Sequence, residues 1–165
     1  MQQIPFPTND KPIQQLIFSW VDLLAQEQYE NALELLYQGE INPYGLNREH
    51  VGLKWNAELL RQSVCNYGLF DDELSGEDPS FFRVLEFTKE NWTSFENALF
   101  IDWIDVDKER IWGLDPTFYA GIVHLGLRMR QLQDQGIYED VTARLLIRKL
   151  GKDHIALELM DIHVM

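Results

Sequence analysis

The amino-acid sequence predicts an α+β fold, with N-terminal helices packed on a curved antiparallel sheet that is formed mainly by the C-terminal half. Up to residue 64, apolar residues recur at the spacing of three and four that is typical of amphipathic helices. From residue 119 they alternate with polar residues, as they do in half-buried strands. A chain of 165 residues, 45% of them hydrophobic, can bury one core, so we expect residues 1–165 to form a single domain.

Three helices are predicted in the N-terminal part. The first follows the capping residues Thr8, Asn9 and Asp10. Its apolar stripe consists of Ile13, Leu16, Ile17, Trp20, Val21 and Leu24. The second covers residues 29–36 and ends at Gly39. The third begins at Asn47 and ends at Gly68, and its two apolar sides indicate deep burial.

Strands are predicted from the middle of the chain onward. Residues 81–88 and 98–106 are short, aromatic and β-branched, and the second segment is apolar on both faces, which indicates that both faces are covered. Three long strands follow, with inward residues Val123, Leu125, Leu127, Met129, Ala143, Leu145, Ile147, Ile155, Leu157 and Leu159. A jump of the apolar phase to Ile162 and Val164 predicts a bulge near Met160 and Asp161.

The length of the last turn follows from the pairing of the two final strands. A three-residue loop at 151–153 places Ile147 opposite Leu157 and Leu145 opposite Leu159, so that like faces meet. A two-residue loop would place Ile147 opposite Ala156, which matches the faces less well. We therefore expect the three-residue loop.

Helices followed by a meander of long strands resemble, in outline, the nuclear-transport-factor-2-like or cystatin-like group. In that group a strongly curved sheet wraps a helical layer and leaves a cone-shaped cavity. Residues 138–144 and 157–164 are also similar to the ends of uncharacterised bacterial domains. The resemblance implies the sheet and the cavity, and it carries no established activity.

Charge and cysteine content bound the partners and the compartment. The 27 acidic and 14 basic residues give a net charge of −13, which repels nucleic acid and anionic membrane surfaces. No apolar run approaches the roughly 20 residues that cross a bilayer. The single cysteine, Cys65, forms no intrachain disulfide and fits a structural thiol of a reducing compartment, so we expect a cytoplasmic protein.

An acidic loop is the first candidate site, as a surface that binds a partner. Its carboxylates are Asp71, Asp72, Glu73, Glu77 and Asp78. The spacing opens like a calcium loop, but Phe82 stands where a bidentate glutamate is needed. The four histidines form no zinc-binding cluster. We therefore expect no metal and no cofactor.

A pocket around Asp102, Trp103 and His124 is the second candidate site. A carboxylate and an imidazole in apolar surroundings have shifted pKa values and can act as acid and base. The structural alternative is a hydrogen-bonded aspartate and a partly exposed histidine that serve the fold alone. The sequence assigns no catalytic residue.

The function that these observations favour is a non-enzymatic binding or accessory module for a small ligand, a protein partner or a second copy of the chain. A homodimer through the outer sheet face is part of this hypothesis. One alternative is an acidic inhibitor of the immunity or antitoxin type, which blocks a basic effector protein. The other is a small-molecule enzyme that uses Asp102 and His124.

Overall fold

The computed structural model describes residues 1–38, 54–66, 81–86, 88, 98–104, 114–133 and 135–164. Within these residues the chain is an α+β protein with three helices and a curled antiparallel sheet that forms a half-barrel. The helices are α1 (Asp10–Ala25), α2 (Tyr29–Leu35) and α3 (Ala57–Cys65). The strands are β1 (Ile4–Pro5), β2 (Phe82–Val84), β3 (Leu99–Trp103), β4 (Tyr119–Gln131), β5 (Ile137–Leu150) and β6 (His154–Val164).

The first two helices form where the sequence predicts them. The side chain of Asn9 caps α1 by accepting a hydrogen bond from the Lys11 backbone N–H at 3.1 Å. The six buried residues of α1 are the six of the predicted apolar stripe. Helix α2 ends at Leu35, where Leu36 turns to extended backbone, and the predicted end at Gly39 lies outside the described residues.

The third helix begins later than predicted. Residues 54–56 are not helical, and the side chain of Asn56 accepts a hydrogen bond from the Leu59 backbone N–H at 2.9 Å. The prediction of one helix running on from Asn47 is therefore wrong, because the capping asparagine of α3 is Asn56. Asn47 and Gly68 themselves lie outside the described residues.

All strand pairs of the sheet are antiparallel, in the order β1-β6-β5-β4-β2. Strand β3 pairs with β4 beside β2, opposite residues 121–125, whereas β2 lies opposite residues 129–131. Both short strands are shorter than the predicted segments 81–88 and 98–106. Strand β4 thus carries β3 and β2 in succession along one edge.

The hairpin of β5 and β6 confirms the predicted register. Residues 151–153 form the turn, Ile147 pairs with Leu157, and Leu145 pairs with Leu159. The register then shifts, so that Arg144 pairs with Asp161 and Met160 is the extra residue of a bulge. The predicted bulge is therefore confirmed.

The two faces of the sheet carry different side chains. We call the face that packs on the helices the inner face, and its buried residues include Val123, Leu125, Leu127, Met129, Val141, Ala143, Leu145 and Ile147, each 0% exposed. The opposite, outer face carries Ile122 and His124 of β4, Arg144 and Leu146 of β5, and Asp161 of β6. The inner face holds the main core, and the outer face carries both apolar and polar residues.

Gly121 brings β3 close to β4. A Cβ atom at this position would lie 2.4 Å from the carbonyl oxygen of Asp102, a distance that no side chain tolerates. The glycine therefore fixes the approach of the two strands at the residue that was predicted as a site.

Candidate functional site

The outer face places Asp102 and His124 together but separates them from Trp103. Phe100 pairs with His124 and Asp102 pairs with Ile122, so Asp102 and His124 are diagonal neighbours on one face. Such neighbours have Cα atoms about 7 Å apart. Trp103 follows Asp102 directly in the strand, and its side chain packs against the inner core.

Trp103 has a structural role at the other side of the sheet. Its indole Nε1 donates a hydrogen bond to Asp10 Oδ1 at 2.8 Å, which joins β3 to the first turn of α1. Its ring lies 6.5 Å from the ring of Phe6, centroid to centroid. The predicted trio is therefore a pair on the outer face and an anchor on the inner face.

Two rows of paired residues cross the outer face. The His124 row consists of Phe100, His124, Arg144 and Asp161, taken from β3, β4, β5 and β6 in that order. The Asp102 row consists of Asp102, Ile122, Leu146 and Glu158, in the same strand order. The first row is polar in its middle, and the second is apolar there.

His124 lies between an aromatic ring and a guanidinium. The Phe100 and His124 ring centroids are 6.3 Å apart, and the planes are tilted by 45°. Burial, and then the positive charge of Arg144, lower the pKa of His124 below its ordinary value of 6.5. Asp102 and Asp161 act in the opposite direction without cancelling the effect. At neutral pH the imidazole is therefore uncharged.

The His124 row ends in an ion pair that the candidate-site prediction missed. Arg144 Nε donates to Asp161 Oδ1 at 2.8 Å, and Arg144 Nη2 donates to Asp161 Oδ2. His163 Nδ1 lies 3.2 Å from Asp161 Oδ1. The hydrogen bond to Asp161 raises the pKa of Arg144. The predicted hairpin register and the predicted bulge, taken together, contained the signal for this pair.

The apolar middle of the Asp102 row belongs to a second, smaller core. Ile122 and Leu146 pack with Leu114 and Tyr119 on the outer face. Ile104, just beyond β3, and Met160, the bulge residue, also contact this cluster. Of the described residues of the segment 98–106, Ile104 is covered on the outer face and Phe100 is exposed there, so the expectation that both faces are covered is met only in part.

Phe100 and Asp102 are the residues of β3 that this second core leaves open. The side chain of Phe100 is 62% exposed, the highest value among the large apolar residues that the structure describes. Asp102 is half-buried, and it forms no hydrogen bond or ion pair within the described part of the chain. The two side chains are adjacent on the outer face because they are two residues apart in a strand.

Chemically, the pair of Asp102 and His124 is a carboxylate beside a neutral imidazole on an open sheet surface. No hydrogen bond joins the two side chains among the contacts of the described residues, so the aspartate does not orient the imidazole as the third member of a triad does. The surface offers hydrophobic, cation-attracting and hydrogen-bonding groups, which suit recognition more than proton transfer.

A groove lies between the helices α2 and α3. It has a volume of about 460 Å³. Glu27 to Asn31, at the start of α2, line one side, and Ala57, Glu58 and Arg61 of α3 line the other. Arg61 donates two hydrogen bonds to the Glu58 carboxylate, and these bonds hold the pKa of Glu58 at about 2. The groove is open to solvent, and Glu27, Glu30 and Glu58 contribute carboxylates to its lining.

The acidic loop and Cys65 are two further groups that the sequence analysis considered. The acidic loop with Asp71, Asp72, Glu73, Glu77 and Asp78 lies outside the described residues. Cys65 is buried, and burial raises the pKa of its thiol, which is the state of a structural cysteine. Within the described ranges, no three histidine, cysteine or acidic side chains come together as metal ligands do.

Comparisons with protein-family models, with curated proteins and with solved structures give no match to this chain. The outline that resembles the nuclear-transport-factor-2-like group is therefore supported by the α+β architecture alone. None of the helices in the described residues is long and apolar enough to cross a membrane.

Proposed function

We propose that this protein is a non-enzymatic binding module that docks a protein partner on the outer face of its sheet, around Phe100. The observation that carries the proposal is the exposure of this ring, 62%, on the short strand β3. Aromatic residues are enriched among the anchors of protein interfaces. Asp102 and His124 flank the ring with polar groups that give an interface its specificity.

The packing of the inner face supports a docking role for the outer face. Inner residues of β4 and β5 are 0% exposed, and side chains of α1, α2 and α3 fill the space above them.

We further propose a fold of the nuclear-transport-factor-2-like or cystatin-like type, formed by residues 1–165 as one domain. The support is the curled sheet with helices on one face.

The proposal includes a cytoplasmic location. Cys65 is a buried free thiol, and a chain without disulfides is adapted to a reducing compartment. No nucleic acid or membrane surface is expected as a partner, because the net charge of −13 repels both.

Site-specific photo-crosslinking in the cell of origin tests the docking face. A benzoyl-phenylalanine in place of Phe100 is compared with the same residue in place of Gln15, which is exposed on α1. We expect one discrete protein adduct from position 100 and none from position 15. Equal adducts from both positions, or none from position 100, would contradict the proposal.

A second copy of the chain is one outcome of the same experiment. In that case the adduct has twice the mass of the chain, and light scattering of the unmodified protein at tens of micromolar gives a dimer. Because a two-fold interface uses each residue twice, Phe100→Arg would place two like charges together and should dissociate the pair. A monomer mass for the unmodified protein would exclude the homodimer and leave a different protein as the partner.

The distribution of charge favours a second candidate function, an acidic inhibitor of a basic effector protein. Residues 119–164 carry six basic and six acidic side chains, so the whole net charge of −13 lies in residues 1–118. A strongly acidic part of the chain steers a basic partner at long range. An association rate that does not fall between low and moderate salt would count against this candidate.

A further inference from the structure

We infer that Phe100 and Asp102 together form a subsite for an arginine side chain of the docked partner. The inference rests on the proposed docking of a protein at the outer face, and it names the chemistry that this face recognises. The two outer rows contain three carboxylates. Asp102 is the one to which no arginine or lysine of the described residues is bound.

The carboxylates of the two rows differ in their partners. Asp161 of the His124 row is bound by Arg144, and Glu158 of the Asp102 row is bound by Arg148 at 2.9 Å. Asp102, at the other end of its row, has no ion pair or hydrogen bond among the described residues. The sheet thus satisfies the acidic groups on β6 and leaves the acidic group on β3 available.

The electrostatic surroundings of Asp102 favour a cation from outside. His124 is uncharged at neutral pH because burial and Arg144 lower its pKa. The charge of Arg144 is itself offset by its two hydrogen bonds to Asp161. The net charge of −13 adds a long-range attraction for basic partners. Nothing adjacent to Asp102 therefore competes with an incoming positive group within the two rows.

The geometry fits arginine better than lysine. Alternate residues of a strand are about 6.5 to 7 Å apart on one face, so the Phe100 ring and the Asp102 carboxylate stand side by side. A planar guanidinium can stack on the ring and donate two parallel hydrogen bonds to the carboxylate at the same time. An ammonium group has no flat surface for the ring and no fork for the carboxylate.

An NMR titration of the whole chain with N-acetyl-arginine methylamide tests the subsite. The neutral isostere N-acetyl-citrulline methylamide is the control ligand. We expect weak, saturable amide shifts that are concentrated in β3, Leu99–Trp103, with arginine and not with citrulline. Shifts that spread evenly over the acidic helices, or that are equal for both ligands, would overturn the inference.

Two matched pairs of variants separate the subsite from general charge and hydrophobicity. Asp102→Asn is compared with Asp140→Asn, which removes the same charge from an exposed position on β5. Phe100→Ala is compared with Ile137→Ala, a 49% exposed apolar residue of the sheet. We expect each β3 variant to weaken binding roughly threefold to fivefold and each control variant to leave it unchanged. Equal losses in both members of a pair would overturn the inference.

The outcomes distinguish this inference from the proposed function. If photo-crosslinking at position 100 captures a partner while arginine gives no localised shifts, the docking face stands and the arginine subsite falls. If arginine shifts β3 while position 100 gives no adduct, the subsite stands and the protein-docking proposal falls. Thermal unfolding of all four variants verifies that they are folded, since each replaced side chain is partly or largely exposed.

Discussion

The inner face of the sheet is apolar from Val123 to Met129 of β4, whereas the outer face changes from apolar to charged between one cross-strand row and the next. Ile122 and Leu146 form the middle of one outer row, and His124 and Arg144 form the middle of the neighbouring row. The same strands thus supply a uniform surface for folding and a patterned surface for contact. The difference shows that stability and recognition are divided between the faces, since a core requires only burial and an interface requires particular groups.

The largest expected effect comes from shortening one buried side chain of the inner face. Leu125 is 0% exposed and pairs with Leu99 of β3. Leu125→Ala should lower the free energy of unfolding by about 3 kcal/mol, because it removes buried methyl groups and leaves a cavity. Urea denaturation measures the change.

Phe100→Ala is the control for that deletion. Phe100 follows Leu99 on β3, and its side chain lies on the outer face. Its ring is 62% exposed, so the expected loss is within about 0.5 kcal/mol. A loss in this variant that equals the loss in Leu125→Ala would mean that both faces contribute to stability alike, and the comparison would fail.

The next effect concerns the contact that holds β3 against β4. Gly121→Ala should cost about 1–3 kcal/mol, because its Cβ would lie 2.4 Å from the Asp102 carbonyl oxygen and β3 would have to shift. Gly126→Ala is the matched control, since its Cβ would lie 3.3 Å from the Cβ of Ala98, and a shift of a few tenths of an ångström relieves this contact.

The chain entropy of glycine reduces the cost of the control variant. Alanine restricts the unfolded chain and so offsets part of the crowding at Ala98, and Gly126→Ala should therefore cost less than Gly121→Ala. Denaturation midpoints of the two variants measure the difference. If Gly126→Ala were the more damaging change, the close approach at Gly121 would not be what positions β3.

The meander of β4, β5 and β6 was the part of the fold that the sequence predicted in detail. Strict alternation marks the inner residues, and Gly151, with a φ of 74°, occupies the turn that the pairing requires. Both signals are local, and each supports the other. The start of α3 was missed because the capping residue was assigned to Asn47, and Asn56, the residue that caps α3, is of the same type.

The faces on which the candidate residues lie were predicted in part. Asp102 and His124 do share a face, because both alternate against inner residues of their strands. Trp103 was grouped with them although neighbouring residues of a strand point to opposite faces, so the period of two already excluded it. The exposure of Phe100 had no sequence signal, since Ile104 on the same strand segment is covered by Leu114 and only the folded chain decides which apolar residue stays open.

A smaller effect is expected from the ion pair in the His124 row. Asp161 and Arg144 are 10% and 24% exposed as side chains, and they share two hydrogen bonds. A double-mutant cycle with Asp161→Asn and Arg144→Met should give a coupling of about 1–2 kcal/mol. The same cycle on Glu58 and Arg61, an exposed pair on α3, should give a much smaller coupling that salt abolishes. If salt reduced the coupling of Asp161 and Arg144 as much as that of Glu58 and Arg61, the His124 row would lie in open solvent.

The smallest effect is the pH dependence that His124 contributes to stability. Its pKa in the folded chain lies below 6.5. As the pH falls through 6.5, the unfolded chain therefore binds a proton at this histidine more readily than the folded chain does. Protons bound to the unfolded state favour unfolding, and stability therefore rises with pH until it levels off above 6.5. Among the described residues, the charged groups that act on the imidazole include Asp102 on β3, Arg144 on β5, and Asp161 and His163 on β6.

His124→Gln should therefore lose less stability than the unmodified protein between pH 7 and pH 5.5, a range above the usual titration of the two aspartates. The effect is small because the imidazole is only partly buried and solvent screens its neighbours. His154→Gln, at an exposed position beside the last turn, is the control and should follow the unmodified protein. Urea midpoints at each pH measure the slopes. A steeper acid loss in His124→Gln would mean that the folded chain stabilises the protonated imidazole, and the outer row would then present a cation at neutral pH in place of the neutral ring that an arginine partner requires.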